Sequence, residues 1–522
     1  MLVVTAKEMR ELDRLTIEKY GVPSLTLMER AGEGLSRYLI ERYSKAVKKG
    51  VLVVAGRGNN GGDGLVVARH LKKKRIPCEV VLLAPREDLS SDAAENLKAY
   101  LKIRGKVTCL EGRDLAPLSG KFKDHGILVD AILGTGLGKE VRGLYADVIE
   151  AMNACGLPIV AVDMPSGLDT DLGRPLGVAV QAESTVTFGY PKLGQLVHPG
   201  PAYVGELAVV DIGIEPKAVA EVSPPTELLE REEVRWLVRP RDPDTHKGHY
   251  GHLLVVAGSR GKTGAAILAC RGAMRAGTGL VTLAAPRSLN GIFAGALVES
   301  MTESLGGATG DDLEAPGDEE WRRLLDRKSA LLFGPGIGLK DGARGALWWL
   351  LRNLDIPWLI DADGLTLLAE DPGRLKAAKR PPLLTPHPGE MARLIGSDTA
   401  TVNADRVAVA RAFAVGHRCH VVLKGARSVI ATVDGKVYIN PTGNPGMASG
   451  GMGDVLAGVV AGMLAQGLGD EDALKLGVYL HGFVGDRVAG ERGEAGMIAT
   501  DIVEGLPAGI KRLKEGPESS AR

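Results

Sequence analysis

Along the chain, short runs of apolar, mostly β-branched residues alternate with longer stretches in which apolar positions recur every three or four residues. The first half holds Val51-Leu52-Val53-Val54-Ala55, Glu79-Val80-Val81-Leu82-Leu83, Ile127-Leu128-Val129-Asp130 and Ile159-Val160-Ala161-Val162-Asp163. Continuous apolar runs separated by helical patterns predict parallel strands buried on both faces. Two helices are expected before them. The first opens on the capping box Thr5-x-x-Glu8, turns Met9, Leu12 and Leu15 to one side and stops at Gly21. The second carries Leu27, Met28, Ala31, Leu35 and Tyr38–Leu39 on one face.

The pattern restarts at Leu253-Leu254-Val255-Val256-Ala257. It continues through 280–283, 330–333, 358–361, 383–385 and 421–423. Between the halves, Gly213 to Glu230 is rich in Pro, Glu and Ala and contains Pro224-Pro225. The expected division is a domain over 1–215, a linker over 216–229 and a second domain over 230–522. All five tryptophans (Trp236, Trp321, Trp348, Trp349, Trp358) follow the expected linker, and no internal repeat is visible. The predicted class is α/β, with two domains that each build their own parallel sheet.

Composition adds one positive signal and several exclusions. Glycine supplies 70 of 522 residues, against a usual ~7%, and nearly all the excess falls in loops after the strands. Ligands of open parallel sheets bind at those carboxyl ends. With 64 basic and 64 acidic side chains, nothing points to a nucleic acid or a membrane surface as partner. Cys78, Cys109, Cys155, Cys270 and Cys419 never form a Cys-x-x-Cys pair, which suits a reducing cytosol and argues against a disulfide frame or structural zinc. No apolar run reaches the ~18 residues of a membrane span, and Met1–Ala6 has no basic leader. A soluble, cytoplasmic protein is expected.

The first strand runs into Gly56-Arg57-Gly58-Asn59-Asn60-Gly61-Gly62-Asp63-Gly64. Its Gly56-x-Gly58-x-x-Gly61 spacing is a weak dinucleotide signature by itself. Bare backbone N–H groups at a helix start do make an anion cradle. Asp130 and Asp163 close buried strands, where a carboxylate is costly unless it binds something; capping the following turn is the competing use. Gly134-Thr135-Gly136-Leu137-Gly138-Lys139-Glu140 forms a second flexible loop at the same edge, and Lys192 stands in a constrained turn after Tyr190-Pro191.

In the second half, Gly261-Lys262-Thr263 imitates the end of a P-loop, but its leading glycine would fall at Val256. His246, His249 and His252 have suggestive spacing, yet Gly248 and Gly251 break any helix that would align them. The strong segment is Asn444-Pro445-Gly446-Met447-Ala448-Ser449-Gly450-Gly451-Met452-Gly453-Asp454. A glycine-rich loop entering a helix can neutralise charge on a transferring phosphoryl group. Asp454 beside it can accept the proton of an attacking hydroxyl.

Residues 1–215 resemble the NAD(P)H-hydrate epimerases. The resemblance rests on Val22–Gly32, the Asn-Asn-Gly-Gly-Asp loop 59–63, Asp130, the 134–140 loop, the Asp163–Asp169 segment and Tyr190-Pro191-Lys192. It implies a Rossmann-like three-layer sandwich that interconverts the two C6 epimers of hydrated NADH or NADPH. By that resemblance Asn59, Asn60, Gly61, Gly62, Asp63, Gly134, Thr135, Gly136, Leu137, Gly138, Lys139, Glu140, Tyr145 and Asp163 touch substrate. Asn60, Asp130 and Ser166 hold potassium. Asp163 and Lys192 are the proton-handling candidates, with their individual roles open.

Residues 230–510 resemble the ADP/ATP-dependent NAD(P)H-hydrate dehydratases of the ribokinase-like superfamily. The matching segments are Gly334-Pro335-Gly336-Ile337-Gly338, Asp361-Ala362-Asp363-Gly364-Leu365, Thr385-Pro386-His387-Pro388-Gly389-Glu390, Leu423-Lys424-Gly425-Ala426 and the Asn444–Asp454 loop. The resemblance implies nucleotide binding by Lys424, Gly425, Ala426, Arg427, Ser428 and Gly453, with magnesium accompanying the ADP or ATP. It places Ala276, Gly338, His387 and Asp454 against the hydrate and makes Asp454 the catalytic base. A homo-oligomer of open size is also expected. The competing reading joins an ordinary kinase of a thiazole or pyridoxal-like alcohol to a non-catalytic binding or oligomerisation module.

Overall fold

In the computed structural model, which describes residues 1–110, 115–305 and 312–515, the chain forms two units. One comprises Leu2–Pro224 and the other starts at Pro225. The N-terminal unit is built on a seven-stranded sheet. Its order is Lys106–Cys109, Cys78–Leu82, Val51–Ala55, Ile127–Ala131, Ile159–Val162, Ser184–Phe188 and Glu206–Val210, and every neighbouring pair is parallel. Val53 stands between Val80 and Val129 in register. Strands are added in one direction from Val51–Ala55 and in the other from Ile127–Ala131. The crevice for a ligand therefore opens where those two strands end.

The helices follow from the apolar spacing. Asn59–Lys73 and Ser24–Arg42 bury Leu65, Val67, Ala68 and Leu71 with Leu27, Ala31, Leu35 and Leu39 in one core. Leu144–Ala154 places Val148, Ile149 and Met152 on the other face of the sheet. The first helix, Ala6–Arg14, has both halves of the expected capping box at Thr5 and Glu8. It continues through a wider π-type turn at Leu15–Lys19 before Gly21 ends it with φ +74°. Ser184–Phe188 escaped the sequence reading because its hydroxyls mask a strand that is buried throughout. Those hydroxyls are satisfied internally: the Thr185 hydroxyl donates to Val204 O at 2.8 Å.

In the C-terminal unit the strands follow the order Thr226–Leu228, Val437–Ile439, Val429–Ala431, His420–Leu423, Leu383–Leu384, Trp358–Ile360, Ala330–Phe333, His252–Val256, Leu280–Pro286 and Met301–Leu305. The run from His420–Leu423 to Met301–Leu305 is parallel. Val429–Ala431 and Val437–Ile439 extend it as antiparallel additions. Thr263–Arg275, Met452–Ala465, Asp470–Arg492 and Ala499–Glu515 share the main core. Met452–Ala465 is apolar on every side and almost wholly buried, which is how a central helix differs from a surface one.

The stretch 216–229, expected as a linker, is largely regular structure. Pro216–Val222 is a helix whose Ala218 is buried in the N-terminal core, with Val219 and Val222 packed against it. Thr226–Leu228 pairs with Val437–Ile439. Proline at the first helical position and apolar residues at helical spacing explain the helix; only the two-proline step at 224–225 divides the units.

Candidate active sites

The crevice of the N-terminal unit is a cavity of about 850 Å³ lined by the 57–60 loop, Asp63, the 132–139 segment, Tyr145, Asp163 and Lys192. This volume lies toward the upper end of the usual ~300–1,000 Å³ for small-molecule sites. Not every expected contact residue lines it. Gly61 and Gly62 sit behind the surface: a Cβ on Gly61 would stand 2.0 Å from Gly56 O, and one on Gly62 would stand 2.9 Å from Met28 Sδ. Their bareness lets helix Asn59–Lys73 close on the turn at Gly56 and on helix Ser24–Arg42. Glu140 points to solvent and pairs with Arg142 at 2.5 Å.

Asp163 follows the strand Ile159–Val162 and holds a left-handed backbone, φ +62°. That conformation is uncommon outside glycine and needs surrounding structure to maintain it. The Asp163 N–H donates to Val186 O at 2.9 Å, and its carbonyl accepts from Gln195 Nε2 at 2.6 Å. Its carboxylate Oδ1 accepts from Lys192 Nζ, from the Thr187 hydroxyl at 2.9 Å and from Phe188 N–H at 3.1 Å. Oδ2 has no partner among the described residues.

Lys192 is only 1% exposed. Besides Asp163, its ammonium donates to Thr187 Oγ1 at 2.9 Å and Phe188 O at 3.0 Å. Three acceptors use all three ammonium protons. Lys192 is thereby a fixed positive charge that steadies Asp163, while the second carboxylate oxygen of Asp163 remains available.

Asp130 is fully buried at the carboxyl end of Ile127–Ala131. Its Oδ1 accepts from the Ser166 hydroxyl at 2.5 Å, and its Oδ2 from Ser166 N–H at 2.8 Å. Burial raises this carboxyl to about 6, with the Ser166 bonds opposing the rise. Leu133 closes the group: its N–H donates to Ser166 Oγ at 2.8 Å, and its carbonyl accepts from Asn60 Nδ2 at 3.0 Å. Asn60, Asp130 and Ser166 are brought together, and their donor set is oxygen-rich.

Two further carboxyls lie in this cavity without a hydrogen-bond partner among the described residues, Asp63 and Asp13. Burial, then Asp163 and Asp13, pushes Asp63 well up from the usual range. Asp63 belonged to the expected set; Asp13 did not. An acidic residue on an otherwise amphipathic helix gives no sequence signal until the fold turns it inward.

In the C-terminal unit the same kind of edge gathers Asp361, Asp363, His387, Glu390, Lys424 and Asp454. Asp361, 1% exposed, stands one residue past the strand Trp358–Ile360. Lys424, just past His420–Leu423, donates to it at 2.9 Å and lies 3.7 Å from Glu390. Burial alone lowers the lysine, but Asp361, Glu390 and Asp454 outweigh it and hold the ammonium charged. A Cβ on Gly453 would stand 3.3 Å from Lys424 Nζ, so the glycine admits the lysine to the start of helix Met452–Ala465. Asp454 sits in that helix's first turn and makes no hydrogen bond to a described residue. Burial, then Asp361, raises it to about 6 against the pull of Lys424.

Gly338 enters through its N–H, which donates to Asp363 Oδ2 at 2.9 Å; Lys262 Nζ reaches the same oxygen at 2.8 Å. His387 Nδ1 accepts from Gly389 and Glu390 N–H at 3.0 and 3.3 Å. Burial, then Lys424, holds the ring below the usual histidine range, so it is a neutral ring with its proton on Nε2. The 424–428 loop is braced from behind by Arg406, which donates to Leu423 O, Lys424 O and Ala426 O at 2.6–3.1 Å. Gly425 and Arg427 carry positive φ, and Ser428 Oγ closes the turn on Gly425 O at 3.1 Å.

Ala276 is not brought to this group. It caps the C-terminal end of Thr263–Arg275, is buried, and its carbonyl accepts from Gln466 at 3.2 Å. The other end of that 13-residue helix faces the site, since a Cβ on Gly336 would meet Lys262 and, at 3.2 Å, Ala265 Cβ. At 1.5 Å per residue the two ends lie about 20 Å apart. The Gly-Ala-Ala start of the helix, not its end, borders Gly336. Asp361, Asp363, Glu390 and Lys262 were the residues without an assigned role; three of them lie in segments that the resemblance already marked.

Residues 24–194 match the family model described as YjeF-related protein N-terminus, and residues 253–508 match that of NAD(P)H-hydrate dehydratase. The bifunctional NAD(P)H-hydrate repair enzyme of Moorella thermoacetica is 43% identical over 99% of this chain and 98% of its own. That of Thermofilum pendens is 40% identical over the same shares. A crystal structure of the ADP/ATP-dependent NAD(P)H-hydrate dehydratase from Bacillus subtilis, co-crystallised with ATP and Mg2+, is 31% identical. It covers 55% of this chain and 98% of its own, at a TM-score of 0.47. With both family models matched in order and relatives alike along nearly the whole length, the chain belongs to the bifunctional NAD(P)H-hydrate repair enzymes.

Proposed function

We propose that the chain restores hydrated NADH and NADPH by two reactions, each run by its own unit. The N-terminal unit equilibrates the R and S epimers at C6. The C-terminal unit dehydrates the S epimer to the reduced cofactor, with ADP or ATP as co-substrate and release of phosphate, leaving AMP when ADP is used. The observation that supports the second reaction best is Asp454: a carboxyl with no hydrogen-bond partner among the described residues, beside a charged, half-buried lysine, at the start of a helix entered through glycines.

The chemistry follows from that arrangement. Ionised Asp454 takes the proton of the C6 hydroxyl, whose oxygen attacks the terminal phosphorus of the nucleotide. The ring-nitrogen lone pair then expels phosphate from C6, and loss of the C5 proton yields the dihydropyridine. Backbone N–H groups of the 450–453 turn and the helix dipole meet the charge on the transferring group. The Lys424–Ser428 loop and Gly453 hold the nucleotide, with Gly338 and His387 against the hydrate. Magnesium, when it accompanies the nucleotide, supplies charge neutralisation on the phosphate oxygens.

In the N-terminal unit, Asp130, Ser166 and Asn60, with the Leu133 carbonyl, fit a monovalent cation such as potassium. The donors are hard oxygens, and Asp130 is a buried carboxylate with no cationic side chain bonded to it among the described residues. A bound potassium would supply the counter-charge that a buried carboxylate requires.

The test incubates the protein with mixed hydrate epimers and each nucleotide in turn, following reduced-cofactor absorbance. Recovery of both epimers, with free phosphate released, is the expected result. A stable phosphorylated product would instead support a small-molecule kinase, and recovery of the S epimer alone would remove the epimerase.

A further inference from the structure

The proton chemistry of the epimerase site needs more than Asp163 and Lys192, and the reason is the saturation of the lysine. All three ammonium protons of Lys192 are committed to Asp163, Thr187 and Phe188 O. None is left for substrate, and releasing one would leave three acceptors short of a proton in a buried place. Asp163, paired with that charge, is an acceptor with one free oxygen. Inverting a hydroxyl-bearing carbon through a planar intermediate requires a proton given on departure and a proton taken on return. One carboxylate bonded to a saturated lysine meets only half of that need.

The other half has a structural candidate on a different element. Asp13 projects from the last turn of helix Ala6–Arg14 into the cavity that holds Asp163 and Lys192. It is half-buried and makes no hydrogen bond to a described residue, unlike Glu8 and Glu11 of the same helix, which cap or pair. The helix is anchored for the purpose: the Thr5–Glu8 box holds its start, and Ala6 N–H donates to Asp171 at 2.7 Å. Asp163 and Lys192 act on Asp13 from the strand edge, and Asp63 feels Asp13 from helix Asn59–Lys73. Arg10, one turn back, with Arg57, Asp92 and Lys139, are the remaining charged groups that line the cavity.

We propose that Asp13 is the second catalytic acid–base residue of the epimerase, working with the free oxygen of Asp163; this rests on the epimerase reading above. In one direction the Asp13 carboxyl gives its proton to the C6 hydroxyl. The C6–O bond breaks, water leaves, and the ring-nitrogen lone pair forms the C6=N bond. Water then adds to the opposite face of C6, the electron pair returns to nitrogen, and the proton lost by that water passes to Asp163 Oδ2. The reverse epimerisation runs the same steps with the carboxyls exchanged, so no oxidant or other co-reactant is consumed. Burial of Asp13, opposed by Lys192 and reinforced by Asp163, lifts its carboxyl to about 6, which suits an acid–base group working near neutral pH. Two carboxyls in unlike surroundings across one cavity is the arrangement such chemistry uses.

The test measures epimerisation by full-length wild type, Asp13→Asn and Asp13→Glu, starting from one purified epimer. In the same preparations, dehydration of the S epimer reports on folding. The expected result for Asp13→Asn is a fall in epimerisation kcat of about 100-fold or more with KM changed less than about threefold. The inflection near pH 6 disappears from its kcat/KM profile, dehydration is unaltered, and Asp13→Glu recovers part of the rate with a shifted inflection. In heavy-oxygen water the wild type installs one solvent oxygen at C6 per inversion. An Asn variant near the wild-type rate with the same pH profile would overturn the proposal, as would inversion without oxygen exchange. Should Asp13→Asn lose both activities, the Glu variant decides, since an inflection left unmoved counts against Asp13. A wild type that leaves the epimers unmixed overturns the epimerase reading itself, and the role of Asp13 with it.

Discussion

The two units solve one electrostatic problem in opposite ways. Each places a lysine, buried in one unit and half-buried in the other, beside a carboxylate at the carboxyl edge of a parallel sheet. In the N-terminal unit, Lys192 is bonded to the strand-end carboxylate Asp163 that lines the cavity. In the C-terminal unit, Lys424 is bonded to Asp361, with Glu390 close by, and Asp454 makes no hydrogen bond to a described residue. Carboxyls without a partner among the described residues are raised in both units, Asp13 and Asp63 in one and Asp454 in the other; Asp13 and Asp454 reach about 6, and burial is the leading cause for all three. A lysine with all its protons committed is a fixture of the site. In each unit a carboxyl that the lysine does not bond is free to give a proton.

The sharpest way to break this comparison is Asp454→Asn. Dehydration should fall by about 10²–10⁴ while epimerisation persists, read as reduced-cofactor formation and epimer ratio in one sample. Loss of both activities in a folded variant would show that the sites are not independent. Lys192→Met tests the fixture. It leaves the Asp163 carboxylate buried and unpaired, and removing one member of such a pair costs about 3–5 kcal/mol. Calorimetry should find the N-terminal unit destabilised by that amount and epimerisation gone, with dehydration retained below the new transition.

The third experiment follows stability against pH. Asp454 is raised from 3.8 to about 6 in the folded chain, so the fold favours its protonated form. That contribution is complete below the unfolded value and is lost as pH rises through about 6. The interval corresponds to about 3 kcal/mol at most. Asp454→Asn should therefore gain stability over wild type at pH 8 and little at pH 4, by thermal melts, even as it loses activity. The smallest effect is expected from Thr5→Ala, which removes half of the capping box on the helix carrying Asp13. It should cost the N-terminal unit about 1 kcal/mol and leave dehydration unchanged; an equal loss in both activities would mean the cap supports more than its own unit.

Much of the fold was legible because its signals are local. Buried strands such as Val51–Ala55 and Ala330–Phe333 read directly as apolar runs, and Gly21 marked a helix end that the chain indeed makes. What escaped had polar side chains or little length. Ser184–Phe188 hides its burial behind hydroxyls, and Val429–Ala431 and Val437–Ile439 are three residues long. The expected linker at 216–229 failed for a related reason: proline and glutamate suggested a tether, but three apolar positions at helical spacing were enough to dock Pro216–Val222 on a core.

The sites divide along the same line. Sequence by itself determined which loops carry chemistry, because glycine-rich strand-to-helix turns are local designs, and it determined the family through the order of those turns. It could not determine what stands within a bond length of what. That Lys192 is saturated, that Asp13 faces the cavity and that Ala276 lies a helix length from Gly338 depend on contacts between residues distant in the chain. Protonation is set by such contacts, since burial and neighbouring charge act through space rather than along the backbone. Only the tertiary structure decided which carboxyls in each unit are free to carry a proton.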